Sequence, residues 1–350
     1  MSITTPDRPG LPIPGAPGTT ATARGRHPRP AIWELAGIAA LLLFAVGPPL
    51  RGVVAVLAVL TAALVTTVSL RFGGRSPTGW ALTWIGYRLR RHDDRLDAPD
   101  PLHTVAGTVR VHRHVDRFGT EFGVAEVAGG WTAVLRLTAP ADPDIGLLLD
   151  ALRVAHRDPD IPLGSAQLVV RTMPQGRDGR PSRMYWLAVR YRPEQAPIAA
   201  LARGGGQLGA LRSTARAAVG LIGTLADAGC QSTVLGVGEL NDGLRLVLGA
   251  GERAEVAHGW HGWSAGGDLQ SCYAPRAGTD PAAALAVDVA RAAFTVTSFT
   301  LRRTPAGKVR GDTVIRIAGG DAAGLGVPVI PLHGRHADYV RRSLPLALDF

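Results

Sequence analysis

The chain has 350 residues, with 38 Lys and Arg against 28 Asp and Glu for a formal charge of +10, and two cysteines. Two thiols as far apart as Cys230 and Cys272 exclude a disulfide scaffold or a metal knuckle and read as small buried apolar residues in a reducing compartment. The positive charge is almost all arginine, spread along the chain and densest beside two apolar runs, so an anionic lipid surface accounts for it more simply than nucleic acid. A nucleic-acid groove also needs stacking aromatics, and the strands show theirs singly.

Residues 1–30 are rich in proline and glycine with no apolar periodicity, which predicts a disordered cytoplasmic leader. Residues 31–70 hold two apolar runs. The first, Ala31 to Gly47, carries one charge, Glu34, and would span about 25 Å as a helix at roughly 1.5 Å per residue. The second, Gly52 to Leu70, has no charge. Pro48, Pro49, Leu50 and Arg51 lie between them, a turn short enough to join only antiparallel neighbours, so the pattern predicts a transmembrane helical hairpin. Arg24, Arg26 and Arg29 precede it, and Arg71, Arg75, Arg88, Arg90, Arg91 and Arg95 follow it, against Arg51 alone in the turn. The positive-inside rule then predicts an inner-membrane protein with two spans, both termini and the main domain being cytoplasmic. A cleaved secretory signal fits less well, because a second full-length span follows the first at once.

Residues 71–101 form a basic, aromatic juxtamembrane segment. Trp80, Trp84 and Tyr87 at i, i+4 and i+7, interleaved with Arg88, Arg90 and Arg91, predict a helix lying in the headgroup layer, and these six are the candidate membrane-interface residues. A helix packing on the core of the following domain is the alternative.

Residues 102–350 alternate strands and helices, which predicts a mixed α/β or α+β cytoplasmic domain, with a division into two lobes near 203–209. Strands are expected over Val105–Val111, Glu121–Val127, Trp131–Thr138, Gln167–Thr172, Arg183–Arg192, Ser232–Val237, Leu244–Leu248, Phe294–Leu301 and Asp312–Ile317. A helix is expected from an N-cap at Asp142, with Ile145, Leu148, Leu149 and Leu152 on one face. Others are expected over Ala210–Ala228, stopping at Gly229, over Pro281–Ala293 and over Gly334–Leu344.

Few residues offer chemistry. Gly204 to Gly209 precedes a helix but lacks the Lys-Ser/Thr of a P-loop, so it reads as a connector. The triplets Asp142–Asp144 and Asp158–Asp160 could mimic the paired carboxylates of a nucleotide-sugar enzyme, yet Asp and Pro also begin helices and turns. His112 with His114, and His258 with His261 inside His-Gly-Trp-His-Gly-Trp, have no ligand at the spacing a tetrahedral metal site needs. Catalytic residues, cofactor and metal are therefore all expected to be absent.

The order of these features resembles EccE, a membrane component of the ESX (type VII) secretion machines of actinobacteria. Three stretches carry the likeness. Thr214 to Leu240 is similar to that family's helix, turn and strand ending in Glu-Leu; Ala293 to Leu301 is similar to its threonine-rich late strand. Ile330 to His336 with Ser343 to Leu346 resembles its closing pattern, with His336 where the family has Gln. The resemblance implies a non-enzymatic subunit stabilising an inner-membrane complex beside its ATPase-containing core, with EccB, EccC and EccD components as partners. The reading from a different class is a membrane-tethered glycosyltransferase-like enzyme using a nucleotide sugar.

Overall fold

The computed structural model describes residues 56, 60, 76–93, 100–174, 181–304 and 306–348. The chain divides into two compact units, Met1–Leu70 and Arg71–Phe350, and the second is described below. The leader expected over 1–30 lies outside the described residues, as does the hairpin expected over 31–70 apart from Val56 and Leu60.

Two expectations are corrected. Among the described residues no helix is long and apolar enough to cross a membrane, so neither a transmembrane hairpin in the fold nor a two-span placement in the inner membrane is supported. The longest described helix, Gly206–Asp227, has 22 residues, but Arg212 and Arg216 lie within it and one face is buried in the domain. It is a core helix. The mixed helix-and-sheet character holds, in the form of one large sheet of twelve strands whose described pairings are all antiparallel.

The elements run α1 (Pro77–Asp93), α2 (Pro101–Ala106), β1 (Arg110–Val115), β2 (Glu121–Val127), β3 (Gly130–Ala139), α3 (Ile145–Arg157), β4 (Ser165–Met173) and β5 (Ser182–Tyr191). Then come α4 (Pro197–Leu201), α5 (Gly206–Asp227), β6 (Gln231–Val234), α6 (Val237–Leu248), β7 (Val256–His258), β8 (Trp263–Ala265) and β9 (Asp268–Pro275). The chain closes with α7 (Pro281–Leu285), β10 (Phe294–Arg303), β11 (Val309–Ala318), β12 (Val329–Pro331) and α8 (His336–Arg342). Spatial order is β1-β2-β3-β5-β4-β10-β11-β9-β8-β7, with β12 on β9 and β6 on β3.

Period-two alternation sends successive side chains of the central strands to opposite faces. Leu168, Val170, Leu187 and Val189 join a core under α3 and α5, whereas Val169, Trp186 and Ala188 join a second core with α2, α6 and the C-terminal residues. Because both faces are covered, β4 and β5 are buried along most of their length, including the polar Ser165, Gln167, Arg171, Thr172 and Arg190. The last residues, Leu344, Leu346 and Leu348, are buried in the second core. Their backbone is tied to the sheet: Thr132 Oγ1 donates to the Leu346 carbonyl at 3.0 Å, and the Ala347 N–H donates to Gln167 Oε1 at 2.8 Å.

Local signals explain most departures from expectation. Val105 is in α2, not a strand, because Asp100 caps a helix through Leu102 N–H at 3.0 Å with Pro101 at its first position. The strand expected at Leu244–Leu248 is the end of α6. Leu240, Leu244, Val247 and Leu248, spaced i, i+4, i+7 and i+8, are its buried stripe, and Gly249 in the left-handed region ends it. The cap of α3 is Asp144, two residues beyond the expected Asp142. The helix expected to reach Ala293 stops at Leu285.

Candidate functional site: an outward helix face and its aromatic seat

The helix α1 starts where Ser76 Oγ accepts the Gly79 N–H at 3.2 Å, with Pro77 at the first helical position. Trp80, Thr83 and Tyr87 lie at i, i+3 and i+7 and so share one face. That face is turned into the domain. Trp80 and Tyr87 meet the Trp260 ring at centroid distances of 5.8 and 5.5 Å, the second edge-on. Trp260 in turn stacks on His333 at 6.4 Å, and His333 touches His261 at 4.9 Å and His336 at 6.0 Å. The His-Gly-Trp-His-Gly-Trp stretch is thus the seat of α1. Gly334 is required beneath it: its φ is +70°, and a Cβ there would strike the Trp260 ring.

The opposite face of α1 carries Leu82, Ile85 and Leu89, again at i, i+3 and i+7, and all are exposed, Leu82 to 71% and Leu89 to 66%. Trp84, one turn beyond Trp80, lies at the edge of the inward face, half exposed, with the Arg88 guanidinium 5.1 Å from its ring centroid. Of the six residues expected at an interface, the structure places Trp80 and Tyr87 inward and leaves Trp84 and Arg88 exposed. Arg90 and Arg91 are in the last turns of the helix, with side chains outside the described residues. Sequence reasoning missed the aliphatic stripe because it followed the tryptophans; the i, i+3, i+7 spacing of Leu82, Ile85 and Leu89 was there to find.

The seat is electrostatically unusual. His336 is buried, its Nδ1 accepts the Cys272 N–H at 3.0 Å, and its pKa is pushed down to about 4 by burial first, with His333 and His261 adding positive neighbours. Burial also pushes the Cys272 thiol up to about 12. Among the described residues no group of three or more His, Cys, Asp or Glu could hold a metal ion.

The aspartate triplets have structural partners. Asp142 accepts from Tyr185 Oη and Arg183 Nη1, each at 3.2 Å, and Asp144 caps α3 through Gly146 N–H at 2.8 Å. Asp158 accepts the Asp160 N–H at 2.9 Å, and Asp160 pairs with Arg203 at 2.8 Å. Gly204, Gly205 and Gly206 all have positive φ and join α4 to α5 in a turn.

This is a mixed domain on an antiparallel sheet with an apolar helix face turned outward. Comparison with known families supplies the rest: the model described as "Putative type VII ESX secretion system translocon, EccE" matches residues 181–275, the span from β5 to β9. The match bears out the resemblance to EccE and includes Thr214–Leu240, while the two later stretches lie beyond it. No curated protein matches the chain.

Proposed function

We propose that this protein is a structural subunit of a type VII (ESX) secretion complex that stabilises the assembly beside its ATPase-containing core, with EccB-, EccC- and EccD-type components as neighbours. The observation that carries this reading is the family match over residues 181–275. The partners come from the resemblance alone.

Helix α1 supplies a contact suited to the task. An aliphatic stripe flanked by Arg88, which lies over the exposed Trp84, followed in sequence by Arg90 and Arg91, suits the boundary of an anionic bilayer, where apolar residues enter the acyl margin and arginines meet headgroups. Trp80 and Tyr87 act from behind, fixing the helix on Trp260.

Affinity purification of the tagged chain from native membranes tests the assembly role. Recovery of the other translocon components is expected; recovery of the folded chain without them would refute it. The lipid contact is tested by co-sedimentation with vesicles of phosphatidylglycerol and phosphatidylcholine, in which Leu82→Glu with Leu89→Glu should reduce binding about tenfold or more. Equal binding by this variant would remove α1 from the contact.

A further inference from the structure

The two ends of the sheet differ. At one end β7 is three residues long, too short to offer much of a template. At the other, β1 runs for six residues, about 20 Å at ~3.4 Å per residue, with no proline or bulge to blunt it.

The ladder shows which backbone groups β1 leaves open. Gly123, opposite Arg113, donates its N–H away from β1 to the Leu235 carbonyl at 2.8 Å. Arg113↔Gly123 is therefore a non-hydrogen-bonded pair, and the N–H and C=O of Arg113, like those of Val111 and Val115, point off the sheet. Among the described residues nothing hydrogen-bonds to them.

A cleft of about 510 Å³ lies along this edge, between Arg110, His112 and Trp131 on the sheet face and Pro197, Leu201 and Gln207 across from it. The His112 ring lies on Trp131 at 4.9 Å, with Nε2 2.8 Å from Glu126 Oε2 and Nδ1 accepting from Gln207 Nε2 at 3.1 Å. Glu126 is thereby taken by His112, and Glu121 by Arg113 at 2.9 Å. Arg110 has no carboxylate partner among the described residues, and Arg212 lies close enough to His114 to hold its pKa down after burial. The side across the cleft is apolar, with Pro193, Pro197, Ala200 and Leu201, the last 69% exposed.

Charge decides between occupants. A second copy pairing through its own β1 would bring Arg110 and Arg113 of both copies onto one ladder, and like charges facing each other destabilise it. An acidic strand meets Arg110, whose charge is unmatched among the described residues. We propose that β1 and the cleft beside it receive an extended acidic segment of a partner protein, added to the sheet as an edge strand, with a carboxylate at Arg110 and an apolar side chain on Leu201 and Pro197. The inference is independent of the secretion reading.

The test uses the full chain and a fluorescein-labelled peptide of alternating Glu and Val, with an alternating Lys and Val peptide as control. Fluorescence anisotropy should show saturable binding of the acidic peptide only, weakened at least tenfold by Arg110→Glu and by Arg113→Pro, and less than threefold by Arg113→Ala. Proline at an outward N–H of an edge strand is compatible with the fold. Should that variant nevertheless unfold, hydrogen exchange on the wild type decides, because bound peptide must slow the amides of Val111, Arg113 and Val115. No saturable binding of the acidic peptide, equal binding of the lysine peptide, or unslowed exchange at those amides would each overturn the proposal.

Discussion

Arg316 is fully buried, and among the described residues no carboxylate pairs with it. It donates to the Leu248 carbonyl at 3.2 Å, to Gln270 Oε1 at 2.7 Å and to the Val247 carbonyl, so it closes the C-terminal end of α6, where unpaired carbonyls concentrate negative charge. Burial lowers its pKa to about 10, which leaves it charged at neutral pH. Arg316→Met should cost about 3 kcal/mol or more in urea melts, since these acceptors lose a charged donor inside the core. His336 behaves oppositely, as a histidine kept neutral. Its native pKa of about 4 lies below the unfolded 6.5, so its contribution is intact above pH 6.5. That contribution is lost as pH falls toward 4, when the unfolded chain takes a proton that the native state refuses. A loss of about 3 kcal/mol is expected across that window, with His156, whose pKa is also lowered by burial, adding to it. His336→Gln, which keeps an acceptor for the Cys272 N–H, should flatten the dependence in denaturation curves at pH 7 and 4.5.

At the scale of elements, α1 meets the domain at the Trp260 ring, with His333 beside it against Trp80. Trp260→Ala removes the surface that Trp80 and Tyr87 share; the amides of α1 from Thr78 onward should then exchange about tenfold faster or more while those of β4 and β5 stay unchanged. A second contact fixes α6. Gly123 lies so close to the start of that helix that a Cβ would come within 2.7 Å of the Gly236 carbonyl carbon and oxygen. Gly123→Ala must push backbone against backbone, and a loss of about 2 kcal/mol is expected in thermal or urea unfolding. Strand and helix were legible where the period was clean, as at Trp131–Thr138 and Ile145–Leu152. Leu244–Leu248 misled because a leucine-rich run satisfies both periods, and only its position against the sheet distinguishes them. Strands β7, β8 and β12 have three residues each, too few to show a period at all.

At the scale of the molecule, the C-terminal segment holds the sheet together from outside its own strand order. Leu344, Leu346 and Leu348 are buried, and their backbone meets Thr132 on β3 and both Ser165 and Gln167 on β4. A chain ending at Arg342 should lose about 5 kcal/mol or more, the burial of three leucines, and show it as lower thermal stability or aggregation. With α2 and α6 this segment covers one face of β4 and β5, and α3 and α5 cover the other.

Composition, local periodicity and motif order by themselves determined a mixed domain, most central strands, the long helix ending at Gly229 and the likeness to EccE, because each is written in neighbouring residues. Tertiary structure alone decided that the sheet is antiparallel throughout its described pairings, that β1 is its open edge and that Trp260 and His333 meet Trp80. It also decided that Trp80 and Tyr87 point inward while Leu82, Ile85 and Leu89 point out. A helix carrying apolar residues on both faces can bury either one, and the choice is made by a partner ring some 180 residues away in the chain, 260 − 80, which no local pattern can reveal.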